Sequence, residues 1–196
     1  MIFQYKELIV AILMAYVLGS VSFAILVSKA FHLPDPRSYG SRNPGATNVA
    51  RVNKVAAILT FLGDAGKGAL AVLLARWFWG SPSDVFALLA VVIGHNYSCF
   101  LGFRGGKGAA TAIGALLVLV PLAATILLGI WLVVFLCFKI SAFAAVVAAI
   151  SAPFLLYWLD VPNKEVYAIC ILALLLIYRH RGNLQRMIQG RENRFR

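Results

Sequence analysis

Charge is what this sequence has least of. Only 13% of its 196 residues are charged, and just 7 are acidic against 18 Lys and Arg. A soluble domain carries about a quarter charged residues, so a surface facing water all round is excluded. Cysteine is almost as scarce. Cys99, Cys137 and Cys170 lie in or beside apolar runs without paired spacing, which excludes a disulfide framework and a zinc site and leaves them as packing residues. No internal repeat, low-complexity tract or linker divides the chain, so residues 1–196 read as one domain. A cleavage context is missing as well: the first apolar run follows Lys6 and Glu7, exceeds a signal-peptide core and ends at Ser28-Lys29, as an uncleaved span would.

What is present is apolar. Hydrophobic residues make up 62% of the chain, and the mean hydropathy is +0.87. Apolar stretches run over Leu8–Val27, Ala56–Phe78, Val85–Phe100, Ala109–Phe138, Ala142–Leu159 and Val166–Tyr178. The fourth would make a helix of about 45 Å, too long for one crossing of a core about 30 Å thick. Pro121 near its middle marks a turn between two shorter spans. Seven spans result, an all-α polytopic integral membrane protein. With seven, fourteen Lys and Arg fall on one side, from Lys29, Arg37, Arg42, Arg51, Lys54, Arg104, Lys107 and Lys139 to the tail Arg179–Arg196, against Lys6, Arg76 and Lys164 on the other. That asymmetry puts the N-terminus outside and the C-terminus in the cytoplasm. The net charge of +11 therefore belongs to loops, and because it is not spread over a soluble surface, nucleic acid is excluded as a partner.

Three polar segments and a tail interrupt the apolar runs. Gly40-Ser-Arg-Asn-Pro-Gly-Ala-Thr-Asn48, followed by Arg51, combines flexible residues with hydroxyl, amide and guanidinium donors, a set able to fold around an anion or simply to make turns. Gly94 to Gly108 carries His95, Arg104, Gly105, Gly106 and Lys107 and leads into Ala109-Ala110-Thr111 at a helix start, where orphan N–H groups favour anions. It is not a Walker A loop: Leu101 stands where glycine is needed, and Gly108, not Ser or Thr, follows Lys107. Membrane-edge Arg and Lys also anchor helices, which is the plainer role for Arg104. Lys139-Ile-Ser141 reads as a helix start capped by Ser141. The basic tail holds Arg179, His180, Asn183 and Arg186, and by charge alone it would bind anionic lipid headgroups. Asp64 and Lys67, spaced i, i+3 inside the second span, share a helix face as either functional groups or a neutralising pair.

The order Gly-Ser-x-Asn-Pro-Gly-Ala-Thr-Asn, Gly-His…Gly-Phe-Arg-Gly-Gly-Lys-Gly and Arg-His-x-x-Asn resembles the PlsY-type acyl-phosphate:glycerol 3-phosphate acyltransferases of bacteria, along essentially the whole chain. The resemblance implies a seven-span enzyme of the bacterial cytoplasmic membrane, its active site facing the cytoplasm. It would transfer an acyl group from acyl phosphate to the 1-hydroxyl of glycerol 3-phosphate, giving lysophosphatidic acid and phosphate. No cofactor and no metal is implied, and a soluble enzyme would supply the acyl phosphate. Carried over by position, Ser41, Asn43, Thr47, Asn48 and Arg51 bind substrate, Gly105, Gly106 and Lys107 hold acyl phosphate, and Lys107, Ser141, His180 and Asn183 form the catalytic set. His95 would support the second loop from behind, with Asp64 and Lys67 unassigned. This chain has Arg42 where the family usually has Gly, Arg104 where Lys is common, and Ser98-Cys99 where Pro-Val is usual.

Both substrates carry phosphate, so converging cations and N–H donors are required, and positioning with electrostatic stabilisation can carry most of the rate. No His is followed five residues later by Asp, since His32, His95 and His180 meet Arg37, Phe100 and Gln185; this argues against the His-Asp acyltransferases. The three motifs contain no carboxylate, which favours the acyl phosphate itself as proton acceptor, with His180 as the alternative. A transporter of phosphorylated metabolites is the competing reading, but it calls for inverted repeats and midplane sites. A structural protein whose basic loops bind lipid headgroups would not need three such segments.

Overall fold

A computed structural model describes residues 2–195; Arg196, counted above in the basic tail, lies outside them. The described residues form helices and loops without a strand. The helices are α1 (Ile2–Ser20), α2 (Phe23–Ala30), α3 (Ala46–Val49), α4 (Lys54–Trp79), α5 (Ser83–Asn96), α6 (Ala109–Leu119), α7 (Pro121–Phe138), α8 (Ser141–Trp158), α9 (Asn163–Arg179) and α10 (Arg181–Ile188), with a 3₁₀ turn at Cys99–Leu101. Among the described residues, five stretches are long and apolar enough to cross a bilayer: Tyr5–Ala30, Lys54–Trp79, Ser83–Leu101, Pro121–Phe138 and Ser141–Trp158. The 11 residues of α6 reach only about 16 Å, short of the hydrocarbon thickness.

Two local features fix the helix boundaries near the polar segments. Pro121 is the first residue of α7 and separates it from α6 as its position in the long apolar run predicts, because a ring without an N–H costs nothing in a first turn, where that N–H would have no partner in the helix. The first apolar run is not one helix. It breaks at Val21-Ser22, with Ser22 extended (φ −98°, ψ 101°) before α2.

The chain forms two compact units, residues 1–119 and 120–196. In the first, α1 packs on α5 and α4 on α6, with α4 also against α1 and α5. Glycine permits these seams. A side chain at Gly19 would meet the Val91 backbone and one at Gly94 the Tyr16 carbonyl, on the α1–α5 seam. On the α4–α6 seam, Gly68 lies against the Thr111 carbonyl and Gly114 against the Ala65 carbonyl. In the second unit α8 packs between α7 and α9 through Ala144, Ala145, Ala149 and Ala152, and α10 touches both α8 and α9.

The distribution of side chains is inverted relative to a water-soluble fold. Most of the core residues are alanines, while Leu13, Leu62, Leu70, Leu132, Phe154 and Leu174 point outward. In water such a surface would be costly, but where lipid tails are the solvent no gain follows from hiding leucine, and close backbone contact decides the packing. Gly114→Val should drive α4 and α6 apart. A melting experiment in detergent is expected to show a loss of at least about 2 kcal/mol, as overpacking against backbone has no soft response.

Candidate functional site

The segment between α2 and α4 is organised from inside by Asn48, which is 1% exposed. Its Nδ2 donates to the carbonyls of Pro36 (2.7 Å) and Tyr39 (3.1 Å), and its Oδ1 accepts from the Ser41 N–H (3.1 Å). The amide is thereby committed to the loop, so what Asn48 does for a ligand passes through the shape it imposes. A side chain at Gly40 would strike Asn48 Oδ1 and the stem of Arg51, and its φ of +57° favours glycine again. Around this peg Thr47 and Arg51 are exposed, and Ser41 and Asn43 are half-buried. Asp35 forks onto Arg37 (2.7 Å); these hydrogen bonds hold its carboxyl below the ordinary range against a lesser effect of burial. The fork steadies the loop above the usual carboxylate range and is lost as pH falls through the lowered value.

Arg42 has φ +55°, in the left-handed region. That conformation favours glycine, the residue the sequence resemblance leads one to expect here, and Arg42 carries the strain.

The second segment begins where α5 ends. Tyr16 Oη donates to the Tyr97 carbonyl (2.7 Å), and Ser98 Oγ donates to the Ser20 carbonyl (2.6 Å), tying the corner to α1. Ser98 so uses its hydroxyl to hold the corner, at a place where the sequence resemblance leads one to expect proline. The chain then returns: the Gly105 N–H donates to the Asn96 carbonyl (3.1 Å) and the Gly106 N–H to the His95 carbonyl (2.9 Å). A side chain at Gly105 would hit the His95 carbonyl, and one at Gly106 the His95 ring at Nε2. These glycines are required by packing on residues 95 and 96. Lys107, half-buried, follows them, and Gly108 (φ +85°) leads into α6.

Behind the loop lies a buried polar cluster. Lys67 Nζ is 2.8 Å from Asp64 Oδ1, off the hydrogen-bonding direction and so an ion pair, 2.9 Å from His95 Nδ1 and 2.5 Å from the Val21 carbonyl freed by the helix break. Thr111 Oγ1 lies 3.2 Å from the same His95 nitrogen. Asp64 and Lys67 therefore neutralise one another and also reach the second motif through His95. Asn96 beside them is fully buried, and its side-chain amide has no partner among the described residues.

In the second unit Lys139 (φ +57°) ends α7, and Ser141 is the first residue of α8, with Ile140 in the capping position. Ser141 is thus not the N-cap its place suggests, since Ile140 supplies the extended residue. His180 closes α9 and opens α10. Its Nδ1 lies 2.9 Å from the Leu176 carbonyl, which can only accept, so Nδ1 carries a hydrogen, and in the neutral ring Nε2 is the accepting nitrogen. Asn183 Nδ2 donates to Glu192 Oε1 (2.8 Å), and Arg186 Nε donates to Glu192 Oε2 (2.7 Å). Sequence reasoning gave Glu192 no role, although a single carboxylate among Arg186, Arg191 and Arg194 was a usable signal. No group of three His, Cys, Asp or Glu able to hold a metal occurs among the described residues.

Most of the predicted residues fall into three groups, Ser41 to Arg51 around Asn48; Gly105 to Lys107 backed by His95, Asp64 and Lys67; and His180 with Asn183 at the α9–α10 corner; Ser141, in none of them, opens α8. These features define an all-helical protein suited to a bilayer, with glycine-rich basic loops at helix ends. The glycerol-3-phosphate acyltransferase family model matches residues 9–190, and the chain belongs to that family. A glycerol-3-phosphate acyltransferase of Burkholderia vietnamiensis is 49% identical over 193 residues, covering 96% of this chain and 91% of the relative. One from Neisseria meningitidis serogroup C is 46% identical, covering 94% and 95%. Crystal structures of PlsY, an integral membrane glycerol 3-phosphate acyltransferase, are similar in fold. Its glycerol 3-phosphate form gives a TM-score of 0.91 at 38% identity, covering 96% of both chains, and its lysophosphatidic acid form gives 0.90 at 37%, covering 96% and 95%.

Arg42→Gly is expected to raise stability by roughly 0.5–1 kcal/mol, the left-handed penalty less the entropy glycine adds to the unfolded chain. A higher melting midpoint in detergent checks it.

Proposed function

We propose that this chain transfers an acyl group from acyl phosphate to the 1-hydroxyl of glycerol 3-phosphate, releasing phosphate and lysophosphatidic acid. The observation that carries the reading is the Gly105–Gly106 turn, which two backbone hydrogen bonds hold just before α6 and which is followed by the cation Lys107, in a chain of the glycerol-3-phosphate acyltransferase family. Both substrates are anions, and a lysine at a helix N-terminus favours phosphate by charge and by dipole. Lys107 with the Gly105–Gly106 turn holds acyl phosphate; Arg51, with Ser41, Asn43 and Thr47 on the loop shaped by Asn48, holds glycerol 3-phosphate.

The glycerol hydroxyl attacks the acyl carbon, the bond from that carbon to the phosphate oxygen breaks, and the hydroxyl proton leaves with the phosphate. Phosphate is a competent leaving group, so no covalent acyl-enzyme is needed, and fixed cations stabilise the charge that develops. His180 presents Nε2 as its accepting nitrogen and is the alternative base; Asn183 and Ser141 complete the catalytic set. The reaction takes place at the cytoplasmic face of the bacterial inner membrane, in a chain of seven spans with its N-terminus outside, and draws its donor from a soluble acyl-phosphate-producing enzyme.

Purified protein given acyl phosphate and glycerol 3-phosphate should release phosphate only when both are present. Flux of glycerol 3-phosphate into liposomes without release would overturn the reading in favour of a carrier. Lys107→Ala and Arg51→Ala are each expected to lower the rate at least about 10²-fold, comparable to losing one oxyanion donor. A near-normal rate in either returns that residue to membrane anchoring. If His180→Gln abolishes turnover while substrate affinity is unchanged, the base is His180 and not the acyl phosphate.

A further inference from the structure

We infer that the Lys67 ammonium, ion-paired to Asp64, fixes His95 as the neutral imidazole carrying its hydrogen on Nε2, and that this N–H edge positions the Gly105–Lys107 loop. Asp64, Lys67 and His95 are buried, at 2%, 5% and 8% exposure, inside the first unit. An ammonium has three N–H donors and no lone pair. Lys67 Nζ meets two acceptors in hydrogen-bonding geometry, the Val21 carbonyl and His95 Nδ1, and Asp64 Oδ1 balances its charge as an ion pair.

A nitrogen 2.9 Å from a group that offers only hydrogens must present its lone pair. His95 Nδ1 is therefore unprotonated. An imidazolium would set two cations against each other beside a single carboxylate, since Asp64 Oδ1 is 3.5 Å from the same ring nitrogen. The Thr111 hydroxyl, 3.2 Å away, also faces Nδ1 and adds no second cation. The one hydrogen of a neutral imidazole is left to Nε2.

Nε2 is the atom that any side chain at Gly106 would strike, so the N–H edge lies against the loop backbone. The main chain holds the loop at the same place, the carbonyls of Asn96 and His95 accepting from the Gly105 and Gly106 N–H groups. Lys107 follows without an intervening residue, so an error in the His95 ring is passed to the cation within one peptide unit. Lys67 also answers the carbonyl left open where α1 gives way to α2. One buried charge thereby ties a helix break to a loop 28 or more residues away in sequence from the histidine's partner lysine. Lys67 and His95 are positioning residues; neither is assigned a place on substrate.

The kinetic half of this inference rests on the proposed reaction, whereas the tautomer does not, and the experiment separates them. The full chain in detergent, labelled with ¹⁵N-histidine, contains three histidines, and loss of one set of signals in His95→Gln assigns His95. The expected spectrum has an unprotonated Nδ1 and a protonated Nε2, and Lys67→Met should release a share of His95 to the other tautomer. A proton on Nδ1 in the unmodified chain overturns the inference, whether or not Lys67→Met folds. In turnover, glutamine places its amide nitrogen near Nε2, whereas asparagine places it near Nδ1. His95→Gln should keep activity within about tenfold, and His95→Asn should lose at least about 10²-fold, at matched melting temperatures. Equal losses in both overturn the positioning role. No acyl transfer by the unmodified chain, together with the expected tautomer, would fault the proposed reaction and the loop's part in it while leaving the proton on Nε2.

Discussion

A charge within a membrane-spanning helix has to be answered where it stands, because water cannot reach it without disrupting the fold. In this protein the Lys67 ammonium is answered by a carboxylate from its own helix, a carbonyl from the break between α1 and α2, and an imidazole at the end of α5. Three helical segments are thereby held to one point. The loop that follows α5 folds back on the histidine of that set, so the backbone leading to Lys107 is anchored to the buried cluster behind it.

Glycine serves this architecture by letting backbone meet backbone. At Gly105 and Gly106 the neighbours are residues 95 and 96, and at Gly68 and Gly114 they are the facing helices. The glycines of the second motif are therefore constrained by the protein interior independently of any ligand. Arg42 is the converse: a side chain occupies a backbone conformation suited to glycine, tolerated because the loop around Asn48 determines it from both sides.

Hydropathy read the helices well. The division at Pro121 was legible because the run was too long for one crossing and proline is favoured in the first turn of a helix, although Pro153 sits inside α8 without dividing it. The break at Val21-Ser22 was not, since its residues are apolar or small and the partner that stabilises the open carbonyl is Lys67, 46 residues on. The i, i+3 spacing of Asp64 and Lys67 announced a shared face, but spacing along one helix carries nothing about the histidine arriving from another. Asn48 was legible as a polar group in a loop; whether its amide turned outward or inward depended on carbonyls at 36 and 39 that only folding brings near. Ser141 and Glu192 illustrate the same limit, one displaced by a residue at its helix start and the other defined by Asn183 and Arg186.

The glycine seams also govern where a fatty chain can travel. With the backbones of α1 and α5, and of α4 and α6, in contact at Gly19, Gly94, Gly68 and Gly114, no methylene fits between either pair. At these crossings hydrocarbon finds no passage between the paired helices, and the apolar surface open to it is the outer flank that carries Leu13, Leu62 and Leu70.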